Sequence, residues 1–409
     1  MIIYTLENKK AIHKRTLLII MISQALGGLG LAAGVTVGAL IAQDLMGTDN
    51  LAGLPSAIFT LGSAMAALMV GQITQRKGRR QGLSTGFLFG GIGAVGVILA
   101  TTFENILFLF LFLFIYGFGT ATNLQARYAG SDLAEPKDRS KAISSAMVAT
   151  TIGAVLGPNL SNIMSQVAVK FSLPPLTGSF ILSAVAYLSS GLVIFIFLRP
   201  DPYQVAKTFD KDNKEQSIEA FASYSKKNVT IGAIIMIVTQ TVMVAIMTMT
   251  PIHMRAHGHG LNQVGIVIGI HVGSMYLPSL VTGRLVAKIG AYRMGMLSGI
   301  TLFLSAVLAV LAPPSSLMTL IISLSLLGIG WNFGLIGGTT IIVDSTNLKN
   351  RAKTQGSVDV FIAIFGSLGG ALSGVIVGSS SYGTLGVLGA ILSVLLIFYV
   401  YVYYKSVKE

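Results

Sequence analysis

Residues 71–83 read GQITQRKGRRQGL, and the pattern GxIxxRxG in their first eight positions returns as GxLxxKxG at residues 283–290. A second pattern, DxxxxKxRxK at residues 132–141, returns at residues 344–353. Both pairs are offset by 212 residues (71 to 283 and 132 to 344). One common offset in two separate segments indicates an internal duplication. The two halves of the chain are therefore expected to share one fold.

The segments between these patterns are long and apolar. Of the 409 residues, 53% are hydrophobic and 11% are charged, whereas a soluble domain carries about 25% charged residues. A helix needs about 20 apolar residues to cross the hydrocarbon core of a bilayer. By that measure the sequence predicts an all-α membrane protein with twelve spans, at residues 16–42, 51–74, 82–102, 106–130, 139–168, 176–198, 229–252, 261–287, 292–311, 316–343, 353–379 and 383–403.

The basic residues predict the orientation of these spans. The net charge of +13 would suit a nucleic-acid-binding protein, but the basic residues lie in short clusters between apolar runs. Of the 28 Lys and Arg residues, all except Lys170 and Arg255 fall on the side that carries both termini. Because Lys and Arg accumulate in cytoplasmic loops, we expect a multi-pass cell-membrane protein with both termini in the cytoplasm.

One long polar stretch separates six spans from six. Residues 199–228 are expected to form a solvated cytoplasmic linker. It would join an N-terminal six-helix bundle, residues 1–198, to a C-terminal one, residues 229–409. Transporters with such repeats bind their substrate near the membrane midplane and expose the site alternately to each side. We expect a monomer in the lipid bilayer that carries a small molecule or metal ion, with no nucleic-acid partner and no permanently bound cofactor.

The loop quoted above resembles the loop signature of the major facilitator superfamily, and GAVLGPN at residues 153–159 resembles that family's Gly-Pro motif. The resemblance covers essentially the whole chain and implies the major facilitator fold, two pseudo-symmetric six-helix bundles. This sequence has Gln75 where the family has an Asp that helps to close the cytoplasmic gate. The second copy of the loop has Ala287 at the corresponding position. The gate residues that the resemblance implies are Gly71, Arg76, Gly78, Arg79, Gly157, Pro158, Gly283, Lys288 and Gly290.

Polar side chains inside the predicted spans are candidates for the transport pathway, because burying them in lipid is costly. Asp359, in span 11, is the one acid deep within a span, and it could carry a proton or a counter-charge, or pair with a Lys or Arg of a nearby loop. The absence of a deep acid in spans 1 to 6 argues against a multidrug–proton antiporter. Candidates for the substrate cavity, each of which could equally serve as a helix–helix hydrogen bond, are Gln24, Asn123, Gln125, Asn159, Asn162, Gln240, Asn332 and Asp359.

Spans 7 and 8 each carry a pair of soft ligands. Met243 and Met247 share one helix face, as do His271 and Met275, because residues four apart are neighbours on a helix. Thioether and imidazole groups together suit Cu(I). Met is usually a packing residue, and Met65 with Met69 shows that such pairs also arise elsewhere in this chain.

In this region the chain resembles a narrower group, the CcoA-type copper importers, which carry MxxxM in span 7 and HxxxM in span 8. The resemblance implies a metal-handling set of Met243, Met247, His271 and Met275, with Cu(I) as the transported ion. The alternatives are an importer of riboflavin or another small organic solute, and a multidrug exporter of the same superfamily. The sequence contains no GxxxxGK[ST] or HExxH motif and no Cys, so ATP-driven transport, zinc proteolysis and thiol catalysis are not expected. We predict a transporter and not an enzyme.

Overall fold

The structure, a computed structural model, describes residues 6–31, 37, 38, 41, 42, 44, 45, 54–214, 225–311, 313 and 315–408. These residues form helices, turns and short connections, with no strand among them. The long helices, numbered in chain order, are α1 Leu6–Leu29, α2 Leu54–Lys77, α3 Arg79–Thr102, α4 Ile106–Ser131, α5 Arg139–Lys170, α6 Gly178–Phe197, α7 Pro202–Lys214, α8 Lys226–Ala256, α9 Leu261–Tyr276, α10 Ser279–Ile289, α11 Ala291–Leu311, α12 Leu317–Asp344, α13 Arg351–Ser379 and α14 Tyr382–Lys408.

Within the described residues, eleven segments are long and apolar enough to cross a membrane, and they match the second to the twelfth predicted spans. The first predicted span, 16–42, begins in α1, and part of it lies outside the described residues. The eighth predicted span differs from the expectation of one helix, because it consists of α9 and α10. Pro278, at their junction, has no N–H and cannot continue the hydrogen-bond ladder.

The chain divides into two compact units, of which the first holds residues 1–224 and 346–363. Its core is aromatic: the Tyr116 ring lies 5.3 Å from that of Phe180 and 5.5 Å from that of Tyr187. The Ser190 hydroxyl on α6 donates to the Ser23 carbonyl on α1 at 3.0 Å. Such hydrogen bonds between membrane helices are each worth about 0.6 kcal/mol.

The second unit holds residues 225–345 and 364–409. Its helices α8, α12 and α14 meet in an aliphatic cluster that includes Ile235, Ile341 and Val400. Between α11 and α12, Ser305 and Ser323 each donate a hydrogen bond to the other's carbonyl, at 2.7 and 2.9 Å. Because α13 contributes residues up to Ala363 to the first unit and its remainder to the second, these units differ from the predicted domains. The predicted boundaries at residues 198 and 229 stay predictions.

The beginning of the predicted linker is not a solvated connection, and that expectation was wrong for this part of the chain. Residues 202–214 form α7, and the side chains of Tyr203, Val205 and Ala206 are buried in the first unit. The physical reason is an amphipathic sequence, PYQVAKTF, whose apolar positions recur at helical spacing. Residues 215–224 of the predicted linker lie outside the described residues.

Candidate functional site: the loop motif and the polar interior

The two copies of the loop motif form the same tight junction between consecutive helices. Gly78 joins α2 to α3 with φ 97° and ψ 171°, and Gly290 joins α10 to α11 with φ 91° and ψ 153°. Only glycine readily adopts this region of backbone conformation. The duplication inferred from sequence therefore extends to the backbone of both loops.

Arg79, the first residue of α3, forms a buried ion pair in the first unit. Its Nε lies 2.7 Å from Asp132 Oδ2, and its Nη2 donates to Gln355 Oε1 at 2.7 Å. The guanidinium also lies 5.5 Å from the centre of the Tyr203 ring. Removing one partner of a buried pair leaves a costly uncompensated charge. The duplicated loop lacks the cation of this pair, because Ala291 stands at the position that corresponds to Arg79.

Gln75 occupies the position at which the family resemblance implies an Asp. Its Oε1 accepts hydrogen bonds from the Tyr203 hydroxyl at 2.9 Å and from the Lys353 amide at 3.3 Å. Its Nε2 donates to the Lys349 carbonyl at 2.5 Å. The Leu348 carbonyl is a second acceptor for the single proton of the Tyr203 hydroxyl. We call these five residues the Gln75 cluster. The amide contacts the segment around the start of α13 both as acceptor and as donor, whereas a carboxylate could only accept.

The remaining predicted gate residues divide into those that pack closely and those that are exposed. Gly71 is buried, and a Cβ atom there would lie 3.0 Å from the Ala352 carbonyl oxygen. Gly157 and Gly283 are buried, whereas Arg76 and Lys288 are exposed. Helix α5 continues unbroken through Gly157 and Pro158, and the Pro158 side chain lies outside the described part of the structure. Their role in gating stays a prediction.

Asp359 has a specific partner. In the first unit, Arg127 Nη2 on α4 lies 2.8 Å from Asp359 Oδ1, and the Tyr128 hydroxyl donates to the same oxygen at 3.3 Å. Both charged side chains are almost completely buried. Of the two expectations for Asp359, the structure supports pairing with a basic residue, although this residue comes from a helix and not from a loop. Asp359 Oδ2 has no hydrogen-bond partner among the described residues.

Two of the predicted cavity residues, Gln24 on α1 and Asn123 on α4, have unsatisfied amide groups. They are 2% and 4% exposed, and neither Gln24 Oε1 nor Asn123 Nδ2 has a hydrogen-bond partner in the described structure. A Cβ atom on Gly27 would lie 2.6 Å from Asn123 Nδ2, so the Asn123 amide lies against α1. Gln24 precedes Gly27 by one turn of that helix. The first unit thus has an unpartnered acceptor on α1 and an unpartnered donor that extends from α4 to the surface of α1.

Of the other predicted cavity amides, Asn332, Gln125 and Asn159 have hydrogen-bond partners. Asn332 is fully buried, and its Nδ2 donates to the Met275 carbonyl at 2.7 Å. Gln125 Nε2 donates to the Ala67 carbonyl at 2.9 Å. Asn159 is exposed and bonds to its own helix, and Asn162 is exposed. These contacts fit a packing role, and contact with substrate stays a prediction for all of them.

Gln240 forms a hydrogen bond with Trp331, which packs on Tyr276, and the sequence analysis did not predict this group. Its Oε1 accepts from Trp331 Nε1 at 2.7 Å, and the Trp331 ring lies 5.5 Å from the Tyr276 ring in an edge-on arrangement. Trp331 is the single Trp of the chain and lies in a predicted span, so the sequence alone could have marked it as a candidate. The partners Gln355, Tyr203 and Arg127 were also missed, because only the fold brings them to Arg79, Gln75 and Asp359.

The predicted metal ligands are all in the second unit. His271 is fully buried, and its Nδ1 lies 2.7 Å from the Leu324 carbonyl oxygen, so the ring donates there. In a neutral ring, Nε2 then carries a lone pair, and it has no hydrogen-bond partner among the described residues. Met243 and Met275 are buried, and Met247 is half-buried. These groups have suitable chemistry for a soft cation, but ligation by them stays a prediction.

Comparison with known proteins agrees with this architecture. The family model of the Major Facilitator Superfamily matches residues 16–315 and 245–409. The MFS-type transporter YdeG of Bacillus subtilis (strain 168) is 58% identical over 96% of this chain and 92% of its own length. The riboflavin transporter RfnT of Brucella anthropi is 29% identical over 91% of each chain. Among solved structures, the human organic anion transporter MFSD10 superposes with a TM-score of 0.74 at 14% identity, over 95% of this chain and 99% of that one.

The duplicated loops, the apolar helices and these relatives define a multi-pass secondary transporter and not an enzyme. The chain belongs to the Major Facilitator Superfamily. Its all-α fold is the fold of that family, as the sequence predicted.

Proposed function

We propose that this transporter carries a flat heterocyclic solute of the riboflavin class by alternating access. The relative RfnT, whose name assigns it riboflavin transport, is 29% identical to this chain along most of both sequences. The proposal takes that substrate class as the starting point. The buried amides of the first unit supply the physical argument for it.

The observation that carries the proposal is the unpartnered pair Gln24 Oε1 and Asn123 Nδ2. A buried polar group without a partner costs about 1–3 kcal/mol, and a ligand that satisfies it recovers that free energy. The pyrimidine edge of a flavin presents an imide N–H flanked by two carbonyl oxygens. The N–H can donate to Gln24 Oε1, and a carbonyl can accept from Asn123 Nδ2. An acceptor and a donor on adjoining helices therefore complement this edge.

Copper import is a second candidate, favoured by one specific observation. The Nε2 atom of His271 is buried and has no hydrogen-bond partner in the described residues. Its helix also carries Met275, one turn away, which is 8% exposed. An imidazole lone pair next to a thioether suits Cu(I), whereas the carboxamides of Gln24 and Asn123 do not. The two candidates therefore depend on different residues.

A paired uptake assay tests both candidates in cells that lack their own riboflavin and copper importers. The full-length protein should accumulate radiolabelled riboflavin, and Gln24→Leu or Asn123→Leu should lower that uptake about tenfold, because each removes one hydrogen bond from a desolvated site. Thr102→Leu is the control, since Thr102 is exposed, bonds to its own helix and belongs to no predicted site.

The same cells are assayed with radiolabelled copper. If flavin is the substrate, copper uptake stays at background. Copper accumulation that is lost in His271→Leu, Met243→Leu and Met247→Leu at normal protein levels would instead establish the second candidate, because Met→Leu keeps volume and removes sulfur. Absence of riboflavin uptake by the unmodified protein, with normal abundance in the membrane, would overturn the flavin proposal.

A further inference from the structure

A basic cavity lies in the second unit, between the beginning of α8 and the end of α14. It has a volume of about 450 Å³ and is lined by Lys226, Lys227, Thr230, Ile231, Tyr399, Tyr403 and Ser406. The lining contains two ammonium groups, several hydroxyl groups and no acid. Both lysines are exposed, and neither has an ion pair among the described residues. The cavity therefore presents uncompensated positive charge together with hydrogen-bond donors.

The walls of this cavity are fixed by contacts within the second unit. The Tyr403 hydroxyl donates to Asn228 Oδ1 at 2.5 Å, which joins the last turns of α14 to the first turn of α8. The Tyr403 ring lies 6.0 Å from the ring of Tyr292. Ser225 caps α8 by accepting from the Asn228 amide at 3.3 Å. Lys226 and Lys227 thus extend from the first turn of α8, which these contacts hold in place.

A second cavity on α14 is entirely apolar. It has a volume of about 380 Å³ and lies between α11 and α14, with a lining of Phe303, Val307, Val310, Leu311, Val387, Ala390, Ile391, Val394 and Leu395. On α14, Leu395 of this groove precedes Tyr399 of the basic cavity by four residues. Residues four apart are neighbours on a helix, so the groove and the basic cavity adjoin along α14.

We infer that these adjoining cavities bind an anionic phospholipid of the surrounding bilayer. The phosphodiester of the headgroup pairs with Lys226 and Lys227, and an acyl chain lies along the apolar groove. Basic pockets between membrane helices on the cytoplasmic side have the chemistry that recognises such headgroups. The charge distribution of the sequence places this end of α8 on the predicted cytoplasmic side. The two observations, a cationic cavity and an apolar groove that adjoin along α14, match the two ends of one lipid molecule.

Native mass spectrometry of the purified full-length protein tests this inference with phosphatidylglycerol and phosphatidylcholine of equal chain length. The protein should retain phosphatidylglycerol in preference to phosphatidylcholine. Lys226→Gln together with Lys227→Gln should weaken phosphatidylglycerol binding about tenfold or more. Lys9→Gln together with Lys10→Gln removes the same charge from α1 and should leave the affinity within about twofold.

A second pair of variants tests the acyl groove. Ile391→Trp fills the groove and should weaken binding of long-chain phosphatidylglycerol several-fold, while Leu61→Trp, at an exposed apolar position of α2, should not. Equal retention of both lipids, or equal losses in the site and control lysine variants, would overturn the inference. Displacement by soluble glycerol 3-phosphate at similar concentrations would also overturn it, because the site would then bind a free phosphate ester. Lipid binding is measured without transport, so these outcomes are independent of the transported solute.

Discussion

At the scale of single residues, the two loop glycines have the same backbone conformation but different surroundings. A Cβ atom on Gly78 would collide with the carboxylate of Asp201, whereas a Cβ atom on Gly290 would meet no other atom within 4 Å among the described residues. The Asp201 carboxylate accepts from the Arg80 amide at 2.7 Å and from the Tyr203 amide at 3.0 Å. Glycine is therefore required at position 78 both by the backbone conformation and by the position of Asp201, which directly precedes α7.

This difference predicts unequal effects of the same substitution. Gly290→Ala should cost about 1–3 kcal/mol, because a side chain is strained at this φ and ψ. Gly78→Ala should cost more, because it adds the displacement of Asp201. Thermal unfolding of the purified variants in one detergent, together with membrane abundance and uptake, measures both effects. Equal unfolding temperatures for the two variants would contradict the role assigned to Asp201.

The sequence located the loop glycines and the buried acid better than the partners of the polar side chains. Gly78 and Gly290 were found because a repeated pattern marks them, and Asp359 because an acid inside an apolar span is conspicuous. The pair of Asp359 with Arg127 could not be predicted, since 232 positions separate the two residues in the chain. Similarly, the substitution of Asp by Gln at position 75 was visible in the sequence, but its contact with Tyr203 depends on how α7 packs.

At the scale of elements, α7 is the helix whose environment differs most from expectation. Spans such as α3 and α11 were predicted to within a few residues, because a long apolar run has one low-energy arrangement in a bilayer. A short polar segment such as α7 has no such constraint. Its Tyr203 joins the Gln75 cluster, and Lys207 Nζ donates to the Gln75 carbonyl at 3.0 Å. Helix α7 therefore holds α2 and the start of α13 together.

Tyr203→Phe tests this assignment by deleting one hydroxyl group. A net hydrogen bond is worth about 1 kcal/mol, or about fivefold in an equilibrium, so the cluster should open about five times more often. The chain has no Cys, so one introduced thiol can be followed without background. Ala352→Cys is a buried reporter at the start of α13. Its maleimide labelling should be about fivefold faster with Tyr203→Phe and unchanged with Tyr399→Phe. Identical rates in all three proteins would contradict the role assigned to α7.

At the scale of the whole molecule, the orientation in the membrane follows from the distribution of basic residues. All Lys and Arg residues except Lys170 and Arg255 lie on the predicted inner side. A fluorescent protein fused after Glu409 should therefore fluoresce in the cytoplasm. Alkaline phosphatase fused after Ser172, in the turn between α5 and α6, should be active outside it. The reverse pattern in either fusion would contradict the twelve-span orientation.

The ion pair between Arg79 and Asp132 has a consequence for the history of the chain. After the duplication, both halves inherited the aspartate, but Asp344 is exposed and Ala291 stands where its arginine would be. The second copy cannot form the same ion pair, because it has no basic residue at the position that corresponds to Arg79. A chimera built from two first halves would contain both residues of the pair twice, and one built from two second halves would contain only the aspartates. The two halves have thus diverged at the position that decides whether this pair can form.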